Sequence, residues 1–196
     1  MKILVLSDQE SPYIWDYFDR SNFEGVELVI SCGDLKGIYL SFIVTMLPIP
    51  LLYVPGNHDT KYVDEPPEGG ICIDDDIFEY KGIRFAGLGG CMEYTGGVYQ
   101  YSEKVMNKRV KKLLKLAKKR GGIDIFVSHA PTLHLGDGDD WCHKGFDCFY
   151  NIYNTCSPKF HFHGHQHLNY SAKPERYITY ENTKIVNAFN YYILEI

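Results

Sequence analysis

The chain has 196 residues, a length typical of one globular domain that buries most of its apolar surface, and its formal net charge is −5. Hydrophobic residues make up 45% of it and charged residues 23%, and 16 Tyr and 11 Phe give it many aromatic side chains. This composition excludes a disordered or low-complexity protein, and we predict a single domain over residues 1–196.

The first half of the chain alternates predicted strands with predicted helices. We predict strands over residues 2–7, 28–32 and 51–55, and helices starting at Pro12 and covering 38–47. Ser11 followed by Pro12 is typical of a helix start, because proline is favoured at the first helical position. Such alternation indicates a parallel sheet covered by helices on both faces.

Residues 38–55 form an uncharged run of 18 residues, the length at which a transmembrane helix must be considered. Pro48 and Pro50 interrupt this run, and proline blocks helix continuation. We therefore predict a buried helix and a buried strand in place of a membrane span. The apolar start of the chain, residues 1–6, is too short for a secretory signal.

The second half of the chain has a different pattern. Two hairpins are predicted, around Lys81-Gly82 and around Glu181-Asn182, and we expect them to build a second sheet packed against the first. Between the hairpins we predict a helix over 104–120, a strand over 123–128, a polar loop over 130–144, a helix over 146–156 and a strand over 159–163. A structureless loop of that length is usually functional.

The helix predicted over residues 104–120 is strongly basic. It contains nine Lys or Arg and no acidic residue, so the overall −5 leaves −14 on the rest of the chain. Its apolar residues recur at helical spacing, which predicts an amphipathic helix with a solvated cationic face. Ser102 would be its N-cap if the stretch before it is a plain connection. A nucleic-acid or membrane-surface role for that face is the alternative. Because an acidic remainder repels a long polyanion, we do not expect long nucleic acids or membranes as partners.

Six cysteines are scattered along the chain without a Cys-x-x-Cys pair. We expect them to be reduced thiols of a cytoplasmic protein. Cys142, Cys148 and Cys156 are close in sequence, but structural zinc ligands usually come in tighter pairs, so we predict no zinc site from them.

Five short segments place polar side chains directly after an apolar strand. These side chains are Asp8, Asp34, the run Asn57-His58-Asp59, His129 and the pair His165 and His167. The strand ends of a parallel sheet lie along one edge, so we expect the five segments to meet in one crevice. A lone aspartate after a strand is usually a turn residue and a lone histidine is usually only hydrogen-bonded, so the prediction depends on their joint occurrence.

In order and spacing the five segments resemble the signature of the calcineurin-like metallophosphoesterase superfamily, whose Gly-Asn-His-Asp and Gly-His-x-His motifs match residues 56–59 and 164–167. The resemblance implies an α/β sandwich of two mixed β-sheets flanked by helices. It also implies hydrolysis of phosphomonoesters or phosphodiesters by a hydroxide held between two divalent ions. By position it implies Asp8 and His167 as ligands of the first metal, Asp34 as the bridging carboxylate, Asn57, His129 and His165 as ligands of the second metal, and His58 as the catalytic histidine.

The chemistry of these residue types supports the same assignment. Imidazole, carboxylate and amide ligands suit Mn, Fe or Zn, of which we favour Mn. His58 is not needed as a ligand, so with Asn57 it is expected to contact the phosphate and to protonate the leaving group, while Asp59 would orient His58 or a neighbouring imidazole. In the polar loop, His143 is the candidate phosphate-side donor. We predict a small substrate, because the acidic surface outside the basic helix disfavours long nucleic acids. A nucleotide is one candidate, since aromatic side chains such as Tyr94 and Trp141 would stack on its base.

One position departs from the family pattern. The first motif is usually Asp-x-His, and here it is Asp8-Gln9-Glu10. Either Glu10 supplies a carboxylate ligand in place of the imidazole, or the following helix starts early and Glu10 points away. Both alternatives remain open at this point.

Two other functions fit the same motifs. A non-catalytic scaffold would use the metal structurally, although such proteins typically lose the catalytic histidine that this chain retains as His58. A nuclease subunit would use the basic helix to contact nucleic acid. The glycine-rich stretch over residues 88–103 is either a substrate-side loop or a plain connection into that helix.

Overall fold

The computed structural model describes residues 1–170 and 175–196. The strands are β1 (Lys2–Ser7), β2 (Val26–Ser31), β3 (Leu51–Tyr53), β4 (Ile71–Cys72), β5 (Ile77–Tyr80), β6 (Ile83–Leu88), β7 (Cys91–Met92), β8 (Gln100–Tyr101), β9 (Ile125–Ser128), β10 (Phe160–His163), β11 (Tyr177–Tyr180), β12 (Thr183–Asn187) and β13 (Asn190–Glu195). The helices are α1 (Pro12–Trp15), α2 (Gly37–Met46), α3 (Glu103–Arg120) and α4 (Tyr150–Cys156). Short 3₁₀ turns cover Arg20–Phe23, Thr60–Val63, Trp141–His143, Asp147–Phe149 and Leu168–Tyr170.

Two large mixed sheets form the framework. The first has the strand order β13-β1-β2-β3-β4, with β13 antiparallel to β1 and the other pairs parallel. The second has the order β11-β12-β10-β9-β6-β5, in which three central parallel pairs lie between two antiparallel hairpins. The predicted fold class is therefore confirmed, and so are both predicted hairpins.

The two sheets pack face to face around an apolar core. Ile3 and Val5 of β1 point into this core, where they meet Phe85 of β6 and Val127 of β9. The alternate side chains of β1, such as Leu4, face the other way and pack under α1 and α2. Strands buried on both faces have continuous apolar sequences, which is why β1 shows no polar alternation.

The basic helix α3 covers the outer face of the second sheet. Its apolar side, including Met106, Val110 and Leu113, is buried against that sheet. The helix begins at Ser102, whose Oγ accepts a hydrogen bond from Val105 N at 3.4 Å, so the predicted N-cap is confirmed.

Three expectations about the elements need correction. The helix at Pro12 is a single turn of four residues, and the helix predicted over 146–156 is a 3₁₀ turn followed by the shorter α4. The five polar segments do not follow one sheet: β1, β2 and β3 belong to the first sheet, whereas β9 and β10 belong to the second. Hydrophobic patterning identifies a strand but not its partner, because pairing depends on contacts distant in sequence.

The uncharged run over residues 38–55 folds into α2 and β3, as its prolines predict. Within residues 1–170 and 175–196, no helix has both the length and the apolar character needed to cross a membrane.

Candidate metal centre

The loops that leave β1 and β2 are shaped by residues with left-handed backbone angles. Asp8 has φ 65° and Asp34 has φ 58°, and Asp8 N donates a hydrogen bond to Gly33 O at 3.1 Å. A glycine is needed at position 56, because a Cβ there would lie 2.1 Å from Asp34 Oδ1. Gly164 is needed for the same reason, since its Cβ would lie 1.9 Å from Ser7 Oγ. The second of these contacts brings the end of β10 against the end of β1.

Asp59 joins the loops that follow β2 and β3. Its Oδ2 accepts hydrogen bonds from Asp34 N and Gly56 N, each at 2.7 Å, and Asp34 Oδ1 accepts from His58 N at 2.8 Å. Burial, and then the negative charge of Asp34, raise the pKa of Asp59 to about 7. In the structure the Asp59 carboxylate positions the main chain of the two loops, because their amide groups point at its Oδ2, and its role in orienting an imidazole stays a prediction.

Main-chain carbonyls fix the tautomers of two buried histidines. His129 Nδ1 lies 2.7 Å from Cys32 O, and His165 Nε2 lies 2.7 Å from Cys142 O. A carbonyl oxygen only accepts, so each of these nitrogens donates a proton. The lone pairs of the opposite nitrogens, His129 Nε2 and His165 Nδ1, consequently face each other at 3.1 Å.

Two oxygen atoms point at the same place. Asn57 Nδ2 donates to Tyr94 OH at 3.1 Å, which leaves Asn57 Oδ1 facing His129 Nε2 at 3.0 Å. Asp34 Oδ2 lies 3.4 Å from that same nitrogen. Four electron-pair donors, including His165 Nδ1, thus converge on one point, an arrangement that could hold a cation between them. This is the set of residues predicted to hold the second metal, and its chemistry fits a divalent ion.

The two imidazoles of the centre have pKa values that are shifted in opposite directions. Burial alone would lower the pKa of His129, but the carboxylates of Asp34 and Asp8 raise it to about 9. The pKa of His165 shifts the other way, to about 3, because of its burial and then the proximity of His129. The centre therefore attracts one positive charge and keeps the second imidazole neutral, as a metal ligand must be.

Two residues predicted for the first metal also lie at this edge. Both carboxylate oxygens of the buried Asp8 accept a hydrogen bond from His165 N at 3.0 Å. His167 Nε2 lies 3.8 Å from Asp8 Oδ1, and its ring packs against Phe189 with centroids 5.0 Å apart. Burial, opposed by the charge of His129, raises the pKa of Asp8 to about 7.

Glu10, the third residue predicted for the first metal, lies beside a lysine. Its carboxylate lies 3.4 Å from Lys36 Nζ. Among the described residues at this edge, one group of acidic, histidine or cysteine side chains has all its ligand atoms within 4.8 Å of one another. It consists of Asp34, His129 and His165. Asp8 and His167 lie outside that group as Glu10 does, so only the ion pair with Lys36 supports the alternative in which Glu10 is not a ligand.

His58 lies at the solvent side of the centre. Its side chain is 74% exposed, and Nε2 is 4.0 Å from Asp34 Oδ2. It lines a cleft of about 790 Å³ between the start of α2 and the Thr60–Val63 turn, with Lys36 and Lys61 on its walls. An imidazole in this position can reach a molecule bound in the cleft.

The polar loop 130–144 covers the centre from the other side. His143 Nδ1 lies 2.8 Å from Asp140 Oδ2, and the ring of His143 is 5.2 Å from that of His165, measured between centroids. Trp141 Nε1 donates to Glu93 O at 2.9 Å, which ties this loop to the glycine-rich stretch. His143 is thus next to a predicted ligand, as a phosphate-side donor must be.

Two other histidines of β10 lie away from the centre in the second sheet. His161 is buried between Ser128 Oγ and Tyr153 OH, each 2.7 Å from a ring nitrogen. His163 Nδ1 donates to Gly164 O at 3.0 Å. Burial lowers the pKa of both imidazoles, so they are neutral structural groups.

Arg109 is a supporting residue that the sequence motifs did not reveal. Its side chain points from α3 towards the protein interior. There Nη2 donates to Asp74 Oδ1 at 2.6 Å and Nε donates to Asp75 Oδ1 at 3.0 Å. Nη1 donates to Gly89 O at 2.9 Å. Gly90 N in turn donates to Pro55 O, directly before the segment with Asn57. The sequence does contain a signal for this role. On a helical wheel the lysines of α3 cluster on one side, and its two arginines, Arg109 and Arg120, lie outside that cluster.

Two solved crystal structures resemble the chain over nearly its full length. One superposes with a TM-score of 0.70 at 13% identity and covers 98% of this chain and 94% of that chain. The other, TT1561 of Thermus thermophilus, superposes with a TM-score of 0.67 at 16% identity and covers 96% and 89%. At these identities the likeness shows the fold alone. No curated protein matched the chain in sequence.

The sequence also matches the family profile described as calcineurin-like phosphoesterase over residues 1–169. The matched region includes all seven predicted ligand positions, from Asp8 to His167. The chain therefore belongs to the calcineurin-like phosphoesterase family.

Proposed function

We propose that this chain is a cytoplasmic hydrolase of small phosphomonoesters or phosphodiesters, including nucleotides, that works with two divalent ions, manganese being favoured. Membership of the family makes metal-dependent phosphoester hydrolysis its general chemistry. The single observation that carries the proposal is the convergence of His129 Nε2, His165 Nδ1, Asn57 Oδ1 and Asp34 Oδ2, all electron-pair donors, on one point. The cytoplasmic location is supported by six free cysteines.

Each ion has its own set of residues in this proposal. Asp34, Asn57, His129 and His165 would hold one ion, and Asp8 and His167 with Asp34 would hold the other. Bound divalent ions of this kind supply Lewis acidity and lower the pKa of water. The mixture of nitrogen and oxygen donors suits Mn, Fe or Zn, and the preponderance of oxygen near Asp8 favours manganese.

The proton needed by the leaving group would come from His58. Its exposed ring at 4.0 Å from Asp34 Oδ2 supports this role, because it borders both the centre and the cleft. The main-chain bond from His58 N to Asp34 Oδ1 holds the residue in place while the ring stays free to move. Asn57 and His143 would orient the phosphate from the two sides of the centre.

The size of the cleft supports a small substrate. A volume of about 790 Å³ suits a nucleotide-sized molecule. Tyr94 and Trp141, both partly exposed beside the centre, offer aromatic surface for a base.

The test is a substrate screen of chelator-treated and metal-reloaded protein. We expect no hydrolysis of nucleotides, cyclic nucleotides, phosphodiesters or phosphomonoesters in excess chelator, and recovery with Mn²⁺, because the chemistry depends on the bound ions. Full activity in excess chelator contradicts the proposal. Absence of activity with every metal and substrate favours a scaffold, and hydrolysis limited to duplex DNA favours a nuclease.

A further inference from the structure

A second group of metal-ligating side chains lies on the loop that covers the centre. Asp140, Cys142 and His143 bring a carboxylate oxygen, a thiol sulfur and an imidazole nitrogen within 4.8 Å of one another. Cys142 Sγ donates to Asp140 Oδ1 at 2.8 Å, and His143 Nδ1 lies 2.8 Å from Asp140 Oδ2 and 3.5 Å from Cys142 Sγ. We propose that this turn, which we call the thiol turn, is a separate binding site for one zinc-class divalent ion.

The hydrogen bonds of the thiol turn show how an ion would enter it. The Cys142 thiol and the His143 imidazole both direct a proton at the Asp140 carboxylate. A divalent ion replaces these two protons: the thiol proton leaves to solvent, and Nδ1 binds the ion once the ring is in its other neutral tautomer. The charges then balance, because a thiolate and a carboxylate together neutralise the ion.

The distances fit this exchange. Zinc ligands at about 2.0–2.3 Å in tetrahedral geometry lie roughly 3.4–3.6 Å from each other. The separation of Cys142 Sγ and His143 Nδ1, 3.5 Å, already has this value. The two contacts of Asp140, now hydrogen bonds of 2.8 Å, would open by roughly 0.6–0.8 Å as the metal takes the place of the protons.

The turn is held in shape by bonds that metal binding would leave intact. Asp140 caps the 3₁₀ turn Trp141–His143 by accepting from His143 N at 3.1 Å, and Trp141 is fixed to Glu93 O. Asp140 is exposed and the other two ligands are partly exposed, so water can complete the coordination.

The thiolate ligand distinguishes this site chemically from the proposed hydrolytic centre. Thiolate ligands select zinc-class ions over manganese, whereas the hydrolytic centre contains only nitrogen and oxygen donors. The two sites are linked through Cys142, whose carbonyl accepts from His165 Nε2 at 2.7 Å. Coordination through His143 Nδ1 leaves Nε2 of the same ring available.

Cobalt is the probe that distinguishes the two sites, because a cobalt–thiolate bond gives a charge-transfer band in the near ultraviolet and nitrogen and oxygen ligands do not. We expect chelator-treated full-length protein titrated with Co²⁺ to develop this band, and zinc analysis to find one more ion per chain in the wild type than in Cys142→Ser. The serine preserves the donor to Asp140, so circular dichroism should show that this variant folds like the wild type. Asp140→Asn is expected to weaken cobalt binding by at least the roughly 10–100-fold that loss of an outer-shell partner costs.

Cys156→Ser is the matched control, because Cys156 is also partly exposed but lies at the end of α4, outside the thiol turn. It should keep both the band and the extra zinc. Absence of the band in the wild type overturns the proposal, as does a band that survives in Cys142→Ser or disappears in Cys156→Ser. Equal zinc content in the wild type and Cys142→Ser also overturns it.

Discussion

His58 is the side chain whose surroundings differ most from those of the buried ligands. Its exposed ring borders the cleft and is 4.0 Å from Asp34 Oδ2. We expect His58→Ala and His58→Gln to retain metal but to lose on the order of 10²–10⁴ in turnover, the range for a missing general acid. Steady-state rates with alkyl and nitrophenyl esters measure this.

The leaving group provides the internal control for His58. A nitrophenolate departs without a proton, so the loss should be much smaller for nitrophenyl esters than for alkyl esters. An equal loss for both classes would show that His58 is not the acid. Elemental analysis of both variants must show unchanged metal content, because the ring is outside the proposed ligand set.

Glu10 is the predicted ligand for which the sequence leaves two alternatives open. Its carboxylate forms an ion pair with Lys36 at 3.4 Å, which supports the alternative in which it is not a metal ligand. We therefore expect Glu10→Ala to leave the two-metal content and the selectivity for Mn over Zn unchanged. Lys36→Met is the matched control for loss of the ion pair itself, which as a surface pair is worth only about 0–1 kcal/mol.

A different outcome would return Glu10 to the ligand set. In that case Glu10→Ala weakens one of the two sites, and Glu10→His restores it with greater zinc preference, because imidazole is a softer ligand than carboxylate. Metal stoichiometry by elemental analysis, after dialysis against a limiting chelator, separates the two results.

At this residue scale the side chains that converge could be predicted from the sequence but their supports could not. Asp34, Asn57, His129 and His165 are found by motif spacing, and they converge as that spacing implies. The contacts of Asp59 with main-chain amides were not predicted. Any residue type presents such amides, so a sequence pattern does not reveal them.

At the scale of elements, helix α3 supports the site through one inward-facing arginine. Arg109 is 11% exposed and pairs with Asp74, which is 17% exposed. Removing one partner of a buried ion pair leaves the other charge unpaired, so we expect Arg109→Met to lower the free energy of unfolding by about 3 kcal/mol. Urea denaturation measures this change.

Lys108→Met is the matched control for Arg109→Met. It removes a cation from the exposed face of the same helix and should change stability by less than about 0.5 kcal/mol. Adding Asp74→Asn to Arg109→Met should recover part of the loss, because the unpaired carboxylate disappears. A loss of similar size in Lys108→Met, or no recovery in the double variant, would contradict a specific role for the pair.

Local signals predicted the elements better than their assembly. The hairpin forms at Lys81-Gly82, where it was predicted, and α3 starts directly after Ser102. The assignment of β9 and β10 to a second sheet was missed. Apolar runs look alike in either sheet, and only the packing of residues distant in sequence separates them.

At the scale of the whole molecule, the site is a junction between the two sheets. Asp34 and Asn57 follow strands of the first sheet, and His129 and His165 follow strands of the second. Gly164 permits the close approach at which Asp8 accepts a hydrogen bond from His165 N. The electron-pair donors are therefore assembled only when both sheets have packed, so the centre depends on the complete fold.

The pH dependence of global stability should reflect a histidine buried in the second sheet. Burial holds the pKa of His161 well below its ordinary value, between Ser128 Oγ and Tyr153 OH. The unfolded chain binds a proton there near pH 6.5 and the folded chain does not, so the contribution of His161 to stability is complete above that pH and falls as the pH drops below it.

We expect His161→Gln to destabilise the protein at pH 7 through its lost hydrogen bonds, but to reduce the slope of unfolding free energy between pH 6 and 5 by about 1 kcal/mol per pH unit. Urea denaturation of both proteins in excess chelator measures the slopes, since protonation of the metal ligands then contributes equally to each. An unchanged slope would mean that His161 takes up its proton in the folded state as readily as in the unfolded one.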